Sequence, residues 1–182
     1  MTYPLHTSRL TLRPFKAIDL PAFAKLHADA HSMVDYGVTL TEAESMAKLS
    51  NYLDTTQRDG IGRLHVSDPD GFVGYVDVMA HDASHPVGAH FEIGWRLLRR
   101  AWGKGYASEA ASSALKDAFQ RLGVDRILAY TAPNNALSRA VMARLHLHRH
   151  PELDFDLVDP IVGRWSGQVW VAEAADWAGG ME

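Results

Sequence analysis

Residues 91–110 read FEIGWRLLRRAWGKGYASEA. The first part alternates. Phe91, Ile93, Trp95 and Leu97 fall on one side of an extended chain, and His90, Glu92, Gly94 and Arg96 on the other, the period-2 pattern of a strand over 90–98. The second part opens a helix over 106–122. Ala107, Ala110, Ala111, Ala114, Leu115, Ala118, Phe119 and Leu122 form an apolar stripe, and Gly123 follows where a helix end favours a left-handed residue. RILAYTA at 126–132 reads as the next strand. Strand, glycine loop, helix and strand in succession predict a mixed α/β fold.

The loop itself, Gly103-Lys104-Gly105, admits few readings. A Walker A loop needs Ser or Thr after its Gly-Lys, and Gly105 stands there. A dinucleotide fingerprint needs a third glycine where Ser108 lies, and an acid after the following strand; Asp125 precedes it. Two readings remain. The backbone N–H groups form an anion nest at a helix N-terminus, or the glycines merely make a tight strand-to-helix turn.

The rest of the chain fits one α/β domain over 1–182. Ser8 to Pro14 alternates as a first strand. Asp19 is placed to cap a short helix at 20–29, and Thr41 with Glu44 to form a capping box before a second helix bearing Met46, Leu49, Tyr52 and Leu53 inward. Strands at 61–66 and 72–79 flank the turn Asp68-Pro69-Asp70-Gly71. HDASHPVGA, at 81–89, reads as a loop. A helix from Pro133 to Leu145 turns Leu137, Val141, Met142 and Leu145 inward, and strands follow near 155–158 and 168–172.

Composition narrows the function. The 182 residues carry a net charge of −4, so no global attraction to nucleic acid or anionic membrane is expected. There is no cysteine, which excludes disulfides, thiolate metal sites and cysteine nucleophiles. The N-terminus lacks a signal-peptide pattern and no apolar run could span a bilayer, so a cytoplasmic location is expected. Arg99, Arg100 and Lys104 form a small basic patch suited to phosphates.

Two motifs carry a resemblance. Trp102-Gly103-Lys104-Gly105-Tyr106-Ala107 resembles motif A of the GNAT superfamily of acyl-CoA-dependent N-acyltransferases, with Trp102 in place of the usual Gln or Arg. Asn135-Ala136-Leu137-Ser138-Arg139-Ala140-Val141 resembles its motif B. SRLTLRPF near the start and WSGQVWVAEAADW near the end extend the likeness to the branch of ribosomal-protein N-terminal acetyltransferases (Rim-type). The resemblance implies a strongly twisted mixed sheet with helices on both faces, whose fourth and fifth strands splay apart to admit acetyl-CoA. Pantetheine would pair with Leu97 and Leu98 and meet Asn135 and Ser138. The pyrophosphate would sit on Trp102, Gly103, Lys104, Gly105, Tyr106, Ala107 and Ser108.

The implied activity is direct acetyl transfer to a primary amine in a ternary complex, which asks for a base and an acid. The resemblance points to Glu92 as base, directly or through water, with His90 as a second choice. It points to Ser138 as acid; Met142 stands where many relatives carry a tyrosine. The acceptor would be a protein N-terminus or a small amine such as a polyamine, amino acid or antibiotic, and the chain a monomer or homodimer. A non-catalytic acyl-CoA-binding module is the competing class. Motif B usually closes with Gly-Phe; His146-Leu147 stands here and puts that turn in question. His146, His148 and His150 alternate, but with no cysteine and no well-spaced acid they are read as loop histidines, with no metal expected. Tyr36 is a candidate for the acceptor pocket.

Overall fold

The computed structural model describes residues 3–159 and 163–178. In chain order it contains β1 Leu5–His6, β2 Thr11–Pro14, α1 Leu20–Ala28, α2 Glu42–Asp59, β3 Arg63–Asp68, β4 Gly71–His81, β5 His90–Leu97, α3 Tyr106–Leu122, β6 Arg126–Thr131, α4 Ala136–Arg144, β7 His148–Arg149, β8 Phe155–Asp159, β9 Gly163–Glu173 and α5 Ala174–Ala178. The sheet runs β1-β2-β3-β4-β5-β6-β9-β7, with β8 paired to β9. Neighbours are antiparallel except β5 and β6, which are parallel.

That parallel pair is the opening of the fold. β4 and β5 stay in register from Gly74↔Leu97 to His81↔His90. β5 and β6 meet in register only at Glu92↔Leu128. Beyond it the two strands part, so Trp95 to Leu97 have no β6 partner. The implied fourth and fifth strands are therefore β5 and β6; the numbering moves up because the first strand is broken. Thr7 and Leu10 close a turn between β1 and β2, N–H to carbonyl at 2.9 Å.

Side chains on the two faces of the sheet build separate cores. Tyr75 and Val76 are adjacent on β4 and point to opposite sides. Val76, Val78 and Ile93 pack against Ala110, Ala111, Ala114, Leu115 and Ala118 of α3, all buried. The alanines let α3 lie close to the sheet. Tyr75 joins Phe15, Phe23, Leu26, Leu49 and Tyr52 on the α1/α2 side. Each aliphatic side chain so buried contributes roughly 1.5–3 kcal/mol.

Local signals explain most element ends. Thr41 Oγ1 accepts from Glu44 N–H at 3.2 Å while the Glu44 carboxylate accepts from Thr41 N–H at 2.7 Å, the expected capping box. α3 ends at Gly123, in a left-handed conformation. The turn after α4 replaces the motif's glycine with His146 at φ 55°. Leu147 N–H to Met142 carbonyl (3.1 Å) and His146 N–H to Ala143 carbonyl (3.1 Å) complete a Schellman turn, so the geometry survives without glycine.

Several expectations need correcting. The Asp19 carboxylate does not cap α1; it binds Arg13 at 2.7 Å and the Lys16 N–H at 2.8 Å, because a half-buried guanidinium is the stronger partner. Met46 and Leu137 have helical spacing but are each 56% exposed. β3 begins two residues later than expected, although Ile61 before it is buried. β4 runs two residues past Met79, to His81.

Candidate active site

Two cavities open on the splayed strands. The first, of about 450 Å³, is a cleft between the end of β5, the start of α3 and α4. Leu97, Trp102, Gly103, Lys104, Gly105, Tyr106, Ala107, Ser108, Asn135 and Ser138 all line it. Gly103 and Gly105 have φ of 73° and 79°, conformations that side chains resist. The Trp102 N–H is taken by the Arg99 carbonyl and the Glu109 N–H by the Gly105 carbonyl. The N–H groups between them, 103–108, have no main-chain partner among the described residues. Ser108 adds a buried Oγ with no partner. A row of unmet donors at a helix N-terminus, with an apolar trough alongside, fits a pyrophosphate and its pantetheine arm.

The loop is braced from a distance. Arg9 donates to the Lys104 carbonyl at 2.8 Å and to the Glu109 carboxylate at 2.7 Å. Glu109 also accepts from Thr7 and Ser8. The break between β1 and β2 thus exists to grip the first turn of α3.

Three expected cofactor contacts fall elsewhere. Leu98 packs on the Phe15 core, and its N–H goes to the Val73 carbonyl at 2.8 Å. Arg100 is bound to Asp68 (2.9 Å) and to the Gly71 and Phe72 carbonyls, stapling the β3–β4 turn. Arg99 lies over the Trp102 ring, 4.9 Å from its centroid. Lys104 and Arg144 line the cleft, as does Arg96, whose guanidinium is held by Asp35.

The second cavity, of about 330 Å³, lies on the Tyr75 face of the sheet. Its wall includes Tyr36, Arg63, Asp77, His81, Glu92 and Tyr130. Register explains the gathering: Arg63 pairs with Asp77, Asp77 with Gly94, Met79 with Glu92 and His81 with His90. Glu92 Oε2 accepts from Tyr130 Oη at 2.7 Å and bonds His81 Nε2 at 2.8 Å. Burial alone would raise Glu92, but the bonds from His81 and Tyr130, with the Arg63 charge, hold it below its usual value. The bond to Glu92 raises His81 against the effect of burial. Burial, and then the Glu92 charge, push Asp77 up although Arg63 sits 2.8 Å away.

Asp35, Trp95, Arg96, Asn135 and Ser138 line both cavities, so the two spaces meet there. Arg96 clasps the Asp35 carboxylate through two bonds (2.7 and 2.9 Å), donates to the Ser32 carbonyl and lies over the Tyr36 ring. That fastens the α1–α2 connection over the junction. Asn135 Oδ1 caps α4 by accepting from Ser138 N–H at 3.1 Å, leaving its amide NH₂ for the cleft. Ser138 Oγ makes no bond to its own helix among the described residues.

Some sequence candidates are not in the site. His90 lines neither cavity; its Nδ1 bonds the Gly88 carbonyl at 2.8 Å. His148 pairs with Asp176 and His150 with Glu152. Among the described residues no group of three or more His, Asp or Glu is placed to hold a metal ion, and no helix is long and apolar enough to cross a membrane. Sequence reasoning missed His81, Tyr130, Arg63 and Asp77. The clustering of His81, His85 and His90 in and beside the loop between two predicted strands was the available signal.

Residues 9–148 match the acetyltransferase (GNAT) domain, and the chain belongs to that family of N-acetyltransferases. It is 32% identical over 173 residues to the FsC-acetyl coenzyme A-N(2)-transacetylase of Aspergillus fumigatus, covering 91% of this chain and 73% of that one. It is 29% identical over 147 residues to the uncharacterized N-acetyltransferase YnaD of Bacillus subtilis, covering 79% and 81%. Among solved structures, an acetyltransferase from Agrobacterium tumefaciens superposes with a TM-score of 0.77 at 26% identity, over 95% of each chain. RimL, a ribosomal L7/L12 alpha-N-protein acetyltransferase in complex with coenzyme A, shares the fold at 15% identity, with a TM-score of 0.73 over 92% and 95%.

Proposed function

We propose that the chain transfers the acetyl group of acetyl-CoA to a primary amine carried on a compact molecule, both substrates being bound at once. The observation that carries this is the shared wall. Asn135 and Ser138 belong to a cleft suited to CoA and to a cavity that ends in a charged cluster. A non-catalytic CoA-binding module has no need of the second space.

Bound acetyl-CoA supplies an activated acyl carbon and a thiolate leaving group. The chain does the rest. N–H groups 103–108 and Lys104 hold the phosphates, while Leu97 and Asn135 position the arm. The Ser138 hydroxyl, at the junction, is the proton donor to the departing sulfur. Glu92 is the carboxylate of the proton-accepting cluster, and its negative charge draws an ammonium group into the cavity. Glu92 is ionised at neutral pH, since its bonds hold it low.

A volume of about 330 Å³ is at the small end for ligand sites, room for an amine and one or two residue-sized groups. Tyr36 and Trp165 stand on its wall. These favour a small-molecule amine over a long peptide, as does the likeness to a transacetylase named for an N(2) nitrogen. The test is a screen of small amines and short peptides with acetyl-CoA, read as free thiol. Thiol release with compact amines is the expected outcome. Absence of release across the panel, with CoA binding intact, overturns the catalytic reading; release with peptides alone overturns the acceptor.

A further inference from the structure

We infer that His81 is the group that receives the proton of the acceptor amine, with Glu92 fixed behind it as counter-charge. The inference rests on reading the smaller cavity as the acceptor site.

Glu92 is the obvious base by position, but its bonds make it a poor one. Oε2 is shared by two donors, Tyr130 Oη and His81 Nε2. A carboxylate held below 4.5 is outcompeted for a proton by an α-amine near 8, by about a thousandfold or more. The imidazole beside it is closer to the task, since the same bond that weakens Glu92 strengthens His81.

Geometry assigns the ring's two nitrogens. Nε2 faces Glu92, with Tyr130 Oη 3.3 Å away. Nδ1 has no partner among the described residues, and the side chain, 24% exposed, lines the cavity. Neutral His81 with its proton on Nε2 therefore offers a lone pair on Nδ1. A carboxylate behind an imidazole fixes that tautomer and stabilises the imidazolium that forms.

The neighbours support one charged ring. His90 of β5 stacks on His81 at 4.9 Å and His85 of the β4–β5 loop lies at 5.0 Å. Burial lowers both, which favours their neutral forms. Tyr130 of β6 is pushed far up by burial and by Glu92, and stays a phenol. Asp77 of β4 and Arg63 of β3 form an ion pair deeper in the cluster.

The proton balance closes. An ammonium N–H bond breaks and an Nδ1–H bond forms. The freed pair makes the C–N bond on the acyl carbon as the C–S bond breaks, its electrons staying on sulfur. The nitrogen sheds a second proton and the thiolate gains one. His81 returns its own proton to water.

The test compares His81→Asn, His81→Ala and Glu92→Gln over pH 5.5–9.5, with an amine that the wild type acetylates. CoA affinity, measured calorimetrically, checks that each variant is folded. His81→Asn is expected to lower kcat by about 10²–10⁴, and added imidazole to restore part of the His81→Ala activity in proportion to its free base. Glu92→Gln removes the bond that raises His81, so its rising limb moves to lower pH. If Glu92→Gln is dead while His81→Asn keeps wild-type kcat, the proposal fails and the acceptor site stands. If both keep wild-type turnover, the acceptor-site reading fails and this proposal with it.

Discussion

In the cleft proposed for CoA, most of the polar groups lie on one continuous stretch, the main-chain N–H groups of 103–108 with the Lys104 and Ser108 side chains. In the cavity proposed for the acceptor they are side chains from β3, β4, β5, β6 and the α1–α2 connection. A backbone site is set by the path of the chain, and it tolerates changes of side chain as long as φ is kept. A side-chain site depends on register, because moving a strand by one residue turns every group to the other face. The first half of this enzyme therefore depends on the path of one loop, the second on the register of four strands.

The sharpest challenge to that contrast is Glu92→Gln. It should lower kcat/KM for the amine by about 10²–10⁴ and leave CoA affinity within about twofold of wild type, a change no larger than about 0.4 kcal/mol. An equal loss of CoA affinity would mean that the two spaces are not separable.

The next effect concerns stability on the same face of the sheet. His27, buried under Tyr75 with its Nδ1 against the Phe23 carbonyl at 2.9 Å, is lowered to about 4, chiefly by burial. Its folded value lies below the unfolded 6.5, so the stabilisation is complete above 6.5 and lost as pH falls toward 4. Urea unfolding at pH 7 and pH 5 should differ by about 2 kcal/mol from this group. In His27→Gln the pH dependence should shrink by that amount, leaving the part due to His65, His85 and His90, which burial also lowers.

Gly105→Val tests the backbone half. At φ 79° the β-branched residue costs about 1–2 kcal/mol, and its Cβ would lie 3.4 Å from an Arg9 nitrogen. KM for acetyl-CoA should rise about five- to thirtyfold with KM for the amine unchanged. Ser138→Ala is the mildest. Thiolate leaves readily, so kcat should fall by about tenfold or less, and a greater loss would assign the hydroxyl a larger share of the transition state.

Much of the cleft was legible because its signals are local. Glycine spacing, the alanine stripe of α3 and Asn135 with Ser138 all lie on short stretches. Glu92 was legible too, by alternation along β5. His81 was not, because nothing in the sequence shows β4 continuing through Ala80; ended at Met79, the strand leaves His81 in a loop. Tyr130 becomes Glu92's partner only through the single β5–β6 register pair, a long-range fact. Leu137 failed differently. Helical period marks an apolar face, and at its first turn that face borders the cleft beside the glycine loop, while Val141, Met142 and Leu145 further along reach the core.

The unmet N–H groups at 103–108 also make a clock. An amide without an acceptor exchanges its proton with water at close to the rate of an open chain. Those six should therefore exchange fast in the free protein, while Glu109, bonded to Gly105, exchanges slowly. Once phosphate oxygens accept from them, they should fall silent together. The loop reports its own occupancy through exchange, with no label and no turnover, even in variants that have lost all catalysis.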